Sequence, residues 1–512
     1  MRIGQIIGER TMDRKAEICL QKVIFQTEAC NEKELFYRFA GDVVCHNHLL
    51  TMKKHAVIST DAYMNLFDVN TWRKYTGVKK CWLELTFCGR GWINIYLWNE
   101  SGKKLCFRQE LHSSQWTAAS FDLEFGGERG IIYFEMTAEE DLMVKDASFF
   151  GRKDEKEVNQ VHLSLLICTY KRKEYLEKIL TVLKKTKFFD RDSDMYGKLS
   201  IRIIDNASEA PETKGTYIKI YHNPNTGGSG GFARGIIESR KEEKEYQISH
   251  VLFMDDDVLI CEECFYRLYA LLSLLDVEYR EKVIAGRMFR LDKRNIQYTS
   301  SEVWNQGNII HIGHNQDMTK KEALLFVNED LGEYAGWWFA CYPMSFAREH
   351  LPLPFFLHCD DVEYGLRHGG PPIVLNGIQV WHETYEYRIS PVIVYYDIRN
   401  AMIVNTIYGK YKDMENVFQT WYLRLIQYHM DGDYPLKYAA IEAMWDYLKG
   451  ERYFLRSRRN RRRKKLVFVN TGLLKYITAL YRRAVYMRYK WAGEKAFLSY
   501  ERIRYQGNGE CK

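Results

Sequence analysis

The chain has 512 residues, 46% of them hydrophobic and 28% charged, including 36 Tyr, 26 Phe and 12 Trp. That length exceeds what one hydrophobic core usually organises, and the composition excludes disorder as the general state, so two or three folded domains are expected. Part of the net charge of +7 lies in one run, Arg456 to Lys465 (RSRRNRRRKK), with no recognised nucleic-acid module beside it, so no nucleic-acid partner is expected.

The start, MRIGQIIGERTMDRK, has charges interrupting every apolar stretch, and nowhere do about 18 apolar residues run together. Neither a secretory leader nor a membrane-spanning helix is expected. Residues 1–155 are strand-rich by pattern. Leu83, Leu85 and Phe87 alternate with polar neighbours, as do Ile93, Ile95 and Leu97, and later Ile132, Phe134 and Met136. Ser101-Gly102 and Gly126-Gly127 fall between such runs as turns, so short antiparallel strands in a β-sandwich are expected. Gly151 to Glu157 (GRKDEKE) is expected to be a linker.

The pattern changes after Val161. LSLLICTY reads as a strand buried on both faces, followed by the helical KRKEYLEKILTVLKK; Ile201 to Ile204 ends in Asp205-Asn206, and Val251 to Met254 ends in three aspartates. Strands alternating with helices predict a Rossmann-like, mostly parallel α/β sheet over residues 156–400, with ligands at the carboxyl ends of its strands. From 401 to 512, Tyr, Trp and Leu recur at helical spacing and predict a helical C-terminal region. Twelve cysteines lack framework spacing, and Cys261 and Cys264 lack the second ligand pair a zinc site needs, so reduced thiols are expected.

Three clusters can carry chemistry. Asp255, Asp256 and Asp257 close a buried strand, and alternation points Asp255 and Asp257 the same way, as two hard oxygen ligands for Mg²⁺ or Mn²⁺. An acidic turn or helix cap is the other reading. Asn223 to Gly235 (NPNTGGSGGFARG) is a glycine-dense loop running into a helix; its backbone amides can approach a phosphate, with Asn225, Gly228 and Arg234 as candidate contacts, or it is simply a flexible turn. Asp360 and Asp361 follow an apolar run and open a helix, where one carboxylate can act as a general base or merely cap the helix. His382 ends the stretch IVLNGIQVWHE and suits a cation already held by two aspartates. Trp337 and Trp338 can floor a sugar or pack in the core.

In order, CTYKR, IIDNAS, NPNTGGSGGFARG, FMDDDV, GWWF, HCDDVEYGLR and VWHE resemble the GT-A family-2 glycosyltransferases, and more closely the bacterial polymerising galactofuranosyltransferases. The resemblance covers about residues 160–400, and the β-rich start and helical end match the same layout. It implies an inverting hexosyltransferase that uses a UDP-sugar donor, UDP-galactofuranose above all, and a hydroxyl of a glycan or lipid-linked acceptor. It places Thr169, Tyr170 and Arg172 against uridine and phosphate, and Asp205 and Asn206 at the uracil, with Asp256 counted in the donor site. It makes Asp255, Asp257 and His382 the metal ligands, Asp361 the base beside Asp360, and Trp337 and Trp338 an acceptor wall. Two segments depart from the family: His358-Cys359 stands where a bulky aromatic is expected, and the stretch from Arg367 to His382 is shorter.

Rival readings are a family-2 transferase using UDP-glucose, UDP-galactose or dTDP-rhamnose, and an inactive carbohydrate-binding scaffold. The basic run Arg456 to Lys465 precedes Leu473, Leu474, Ile477, Leu480, Tyr481 and Val485 at helical spacing. A cytoplasmic protein held peripherally at the inner face of the plasma membrane is therefore expected, unless the basic run is a solvated helix face and the apolar stripe packs on the catalytic domain or on a second copy in a homo-oligomer.

Overall fold

The computed structural model describes residues 15–46, 48–78, 80–123, 129–210, 215–326, 328–385, 389–408, 414–451 and 454. The described chain forms two compact units: one takes in residues through Thr27 with Lys33–Gln160 and Phe265–Arg280, the other takes Glu28–Glu32, Val161–Cys264 and the remainder from Glu281.

The first unit holds β1 (Lys15–Lys22), β2 (Arg38–Ala40), β3 (Val43–His46), β4 (Leu49–Met52), β5 (Val57–Ser59), β6 (Phe67–Asp68), helix α1 (Val69–Thr76), β7 (Lys80–Asn99), β8 (Gly102–Leu123) and β9 (Ile131–Asp154). All nine strands hydrogen-bond into one antiparallel sheet, in which β9 pairs with β1, β4, β5, β6 and β7. The alternating apolar residues are buried as the pattern predicts, but the two runs at 83–87 and 93–97 lie in one 20-residue strand rather than two short ones. Gly89 and Gly91 explain the continuity: a side chain there would meet the Asp141 and Thr137 carbonyls at 2.0 and 2.3 Å, so only glycine lets β7 bulge and carry on against β9. The turn at Ser101-Gly102 joins β7 to β8, whereas Gly126-Gly127 lies outside the described residues. Gly151 to Asp154 is strand, not linker, because β1 supplies hydrogen-bond partners from far away in sequence.

The second unit runs β10 (Leu163–Thr169), α2 (Lys173–Lys184), β11 (Leu199–Asp205), β12 (Ile218–His222), α3 (Gly227–Tyr246), β13 (His250–Asp255), then α4 (Glu262–Leu274), whose residues from Phe265 belong to the first unit. It continues with β14 (Ile284–Arg290), β15 (Ile296–Thr299), the hairpin β16 (Glu302–Asn305) and β17 (Asn308–His311), β18 (Gln316–Asp317), α5 (Lys321–Leu324), β19 (Phe339–Pro343), α6 (Met344–Glu349), α7 (Asp360–His368) and β20 (Ile373–His382). Three helices follow, α8 (Pro391–Ile407), α9 (Met414–Met430) and α10 (Tyr434–Leu448).

The sheet order is β12-β11-β10-β13-β19-β14-β15-β18, with β20 on β14. β10, β11, β12 and β13 are mutually parallel; β19 runs antiparallel to both β13 and β14, and β20 is parallel to β14. The sheet is therefore mixed, yet β10, β11, β13 and β20 all end at the same edge. Behind that edge, Phe253 stacks on Trp337 at 4.6 Å and meets Phe232, Tyr342 and Tyr364 edge-on, which anchors β13 through one side chain. On the helical side, α8 and α10 bury Ile398, Met402, Ala443 and Tyr447 together with Trp421 of α9.

Candidate active site

Register sets the site. Cys168 lies opposite Asp255 and Thr169 opposite Asp205, so the polar ends of three strands are brought level by the ladder itself. His382 ends β20, and a two-bond bridge between Leu259 and Trp381 pins the chain just after the aspartate triplet to the end of that strand. The bridge carries Asp257 to His382.

The ligand atoms of Asp255, Asp257 and His382 lie within 4.8 Å of one another. His382 Nε2 stands 3.0 Å from Asp257 Oδ1 and 3.7 Å from Asp255 Oδ2. Burial pushes Asp255 up to about 6; His382 opposes the shift and Asp257 adds to it. A part-exposed carboxylate, a buried carboxylate and a buried imidazole converge on one point, and their hard oxygen donors with one nitrogen fit Mn²⁺ or Mg²⁺. Asp256 does not join them. Its carboxylate turns to Arg172, whose Nη1 lies 3.0 Å from Asp256 and 2.6 Å from Asp257 Oδ2. Arg172 is thus an ion-pair partner of the triplet at the start of α2.

The remaining donor candidates divide. Asp205 is committed to the turn beyond β11, accepting from the Ala207 and Ala210 amides at 2.9 and 2.7 Å, while Asn206 accepts from Asn223 and donates to the Gly227 carbonyl at 3.1 Å. Thr169 is buried at the strand end and Tyr170 is exposed beside it. Asn225 accepts from the Gly227 amide, and Arg234 pairs with Glu238 one turn along α3. The glycines of this segment answer to the protein itself. Gly227 has φ +74°, and a Cβ there would sit 1.9 Å from the Phe356 carbonyl; one at Gly231 would meet Cys168 Sγ at 2.2 Å. At Gly228 the nearest atom to such a Cβ would be Asp360 Oδ2, at 3.6 Å, so the start of α3 lies alongside the paired carboxylates.

Asp360 and Asp361 open α7 after three left-handed non-glycine residues, Phe356 (φ 76°), His358 (φ 62°) and Cys359 (φ 62°). Each such residue costs on the order of 1–3 kcal/mol and persists only where its surroundings hold it. Burial, with the nearby charge of Asp255, pushes Asp360 up to about 7. Asp361 is raised well above the carboxylate range by burial, then by Asp360 and Glu302, although it accepts the Val362 amide at 2.8 Å. Trp337 and Trp338 are only 5% and 3% exposed: Trp337 packs among Phe232, Phe253 and Tyr364, and Trp338 Nε1 donates to the Gly286 carbonyl. Both tryptophans are core residues here.

Two neighbours escape a reading of single motifs. Tyr385, 39% exposed, places its ring 5.9 Å from His382 and 6.4 Å from His358. Its only sequence signal is lying three residues beyond His382. Glu302, buried on β16 and accepting from His311 Nδ1 at 2.8 Å, acts on Asp361 through its charge, and nothing in SSEVWN announces it.

Residues 164–327 match the family model described as glycosyl transferase family 2, and residues 38–152 match that of the galactofuranosyltransferase 2 N-terminal domain. Residues 164–327 therefore carry a family-2 glycosyltransferase domain. The chain is related to two curated proteins named galactofuranosyltransferase GlfT2: 23% identical over 376 residues to that of Mycobacterium tuberculosis, and 23% identical over 382 residues to that of Mycolicibacterium smegmatis. The matches take in 68% and 69% of this chain, which spans 58% of the length of each relative. Among solved structures, a mannosyltransferase of Pyrobaculum calidifontis in complex with GDP-Man and Mn²⁺ aligns over 69% of this chain and 89% of its own, at 13% identity and a TM-score of 0.32, too low to bear on fold or function.

Proposed function

We propose that this protein is an inverting, metal-dependent hexosyltransferase that moves galactofuranose from UDP-galactofuranose to a hydroxyl of a cell-surface glycan or lipid-linked acceptor. The observation that carries the reading is the convergence of Asp255, Asp257 and His382 within 4.8 Å at the strand edge, with Asp360 and Asp361 near enough to feel the charge of Asp255. Kinship with the two galactofuranosyltransferases supports the donor sugar.

Asp255, Asp257 and His382 hold the cation, Mn²⁺ or Mg²⁺. When bound, it supplies positive charge that stabilises the developing charge on the diphosphate. Arg172 orients Asp256 and Asp257 and carries its own positive charge toward the phosphates. Thr169, Tyr170, Asp205 and Asn206 line the strand ends where the nucleoside lies, and the Asn225–Gly228 backbone borders it. Asp361, in its ionised form, takes the acceptor hydroxyl proton as that oxygen attacks the anomeric carbon. The bond to the diphosphate breaks, UDP leaves with the electron pair, and the configuration inverts.

The test is a panel of nucleotide sugars with Mn²⁺, reading UDP release and transfer. UDP-galactofuranose is expected to be turned over fastest, EDTA to abolish turnover and added Mn²⁺ to restore it. Full activity in EDTA refutes the metal assignment, and preference for UDP-glucose, UDP-galactose or dTDP-rhamnose reassigns the donor.

A further inference from the structure

The paired carboxylates stand on a segment whose backbone is held from outside itself. Left-handed conformations at Phe356, His358 and Cys359 turn successive carbonyls away from any regular ladder, and a buried carbonyl needs a donor. One side chain answers three of them. Asn400, fully buried on α8, directs Nδ2 to the carbonyls of Leu357 at 2.7 Å, His358 at 2.9 Å and Phe355 at 3.3 Å. Its amide has one possible orientation, because Oδ1 accepts Nε and Nη2 of Arg399 at 2.9 and 2.8 Å. Arg399 Nη2 also donates to the Phe355 carbonyl at 2.9 Å. From the opposite side, Ser229 Oγ accepts the Phe356 amide at 2.7 Å, and Gly227 lies against the Phe356 carbonyl.

We infer that Asn400, its amide set by Arg399, is a positioning residue that holds segment 355–359 in the left-handed path presenting Asp360 and Asp361 to the acceptor. This rests on the transferase reading above for its catalytic consequence, but not for its structural one. Asn400 lies about 40 residues beyond the pair it positions, on α8, and touches neither carboxylate in the contacts described. Through it, α8 becomes part of how the base is aimed. A displacement of about 1 Å at a reacting group costs up to roughly 10²-fold in rate.

Asn400→Asp is the sharp test. It keeps size and the Arg399 contact but replaces the donating nitrogen with an oxygen facing three carbonyls. In the intact 512-residue chain, turnover should fall by roughly 10- to 100-fold, while affinity for UDP with Mn²⁺, read by calorimetry, changes less than about threefold. Amide hydrogen exchange should quicken at residues 355–361 and stay unchanged at α2. Asn400→Ser, which retains a smaller donor, should recover part of the turnover. The inference is overturned if exchange at 355–361 is unaltered, or if turnover and UDP affinity fall together with a general loss of protection. Wild-type protein inactive toward every nucleotide sugar refutes the transferase reading alone, and the exchange comparison still decides the clamp.

Discussion

Asp361 can serve as a base only when ionised, and its surroundings resist ionisation. Asp361→Asn keeps the shape and removes the basicity, so turnover should drop by roughly 10²-fold or more while UDP binding survives. A harmless Asp361→Asn beside a crippling Asp360→Asn would exchange the two roles. Because Asp361 is raised well above the ordinary range, the rate of transfer should rise with pH on an acid limb that lies clearly above pH ~4; a kcat profile whose limb falls near that value would contradict it. Asp360 carries a linked stability effect. Its folded value of about 7 lies above the unfolded one of about 4, so its contribution is complete below pH ~4 and is lost as pH rises through about 7. Asp360→Asn should therefore raise the Tm of cation-free protein at pH ~8 and leave it nearly unchanged at pH ~4, as thermal melts at the two values will report.

At the scale of elements, the site is where α3, α7 and β20 meet the ends of β10, β11 and β13, and the tolerances there are tight. The first glycine of α3 shows this. Gly227→Ala would place a methyl group 1.9 Å from the Phe356 carbonyl on a residue with φ +74°, and neither the helix start nor the 355–359 segment has a cheap way to yield. A loss of about 1–3 kcal/mol is expected from the backbone alone, together with lost turnover as Asp360 and Asp361 are displaced. An unchanged denaturation midpoint would show that the contact relaxes freely. Much of the glycine density that reads as a phosphate cradle is thus explained by packing against Phe356, Thr226 and Cys168.

For the molecule as a whole, the described helices include none long and apolar enough to cross a membrane. The basic run at Arg456 to Lys465 and the apolar series from Leu473 to Val485 lie outside the described residues, so surface attachment rests on composition alone. Each basic residue near an anionic leaflet contributes roughly 1 kcal/mol. Neutralising five of these arginines should release the protein from anionic liposomes and lower transfer to a lipid-linked acceptor, with transfer to a short soluble acceptor retained. Co-sedimentation of the neutralised protein at physiological salt would refute surface attachment through this run.

The buried strands at 163–169 and 250–255, the alternation of β7 and β9 and the helices α9 and α10 are legible in the chain because local periodicity reports burial directly. The aspartate triplet is legible too, since a strand cannot bury three charges and must end there. What the tertiary structure alone decided depends on partners distant in sequence. β1 extends β9 through the charged stretch at 151–154, and antiparallel β19 enters an otherwise parallel run. Leu259 and Trp381 bring Asp257 to His382 across 125 positions. Trp337 goes into the core, and Asn400 reaches back to hold the segment before Asp360. Residue type limits what each of these side chains can do, but which partner it meets is set by closure of the sheet and packing of α8, and no local pattern encodes that.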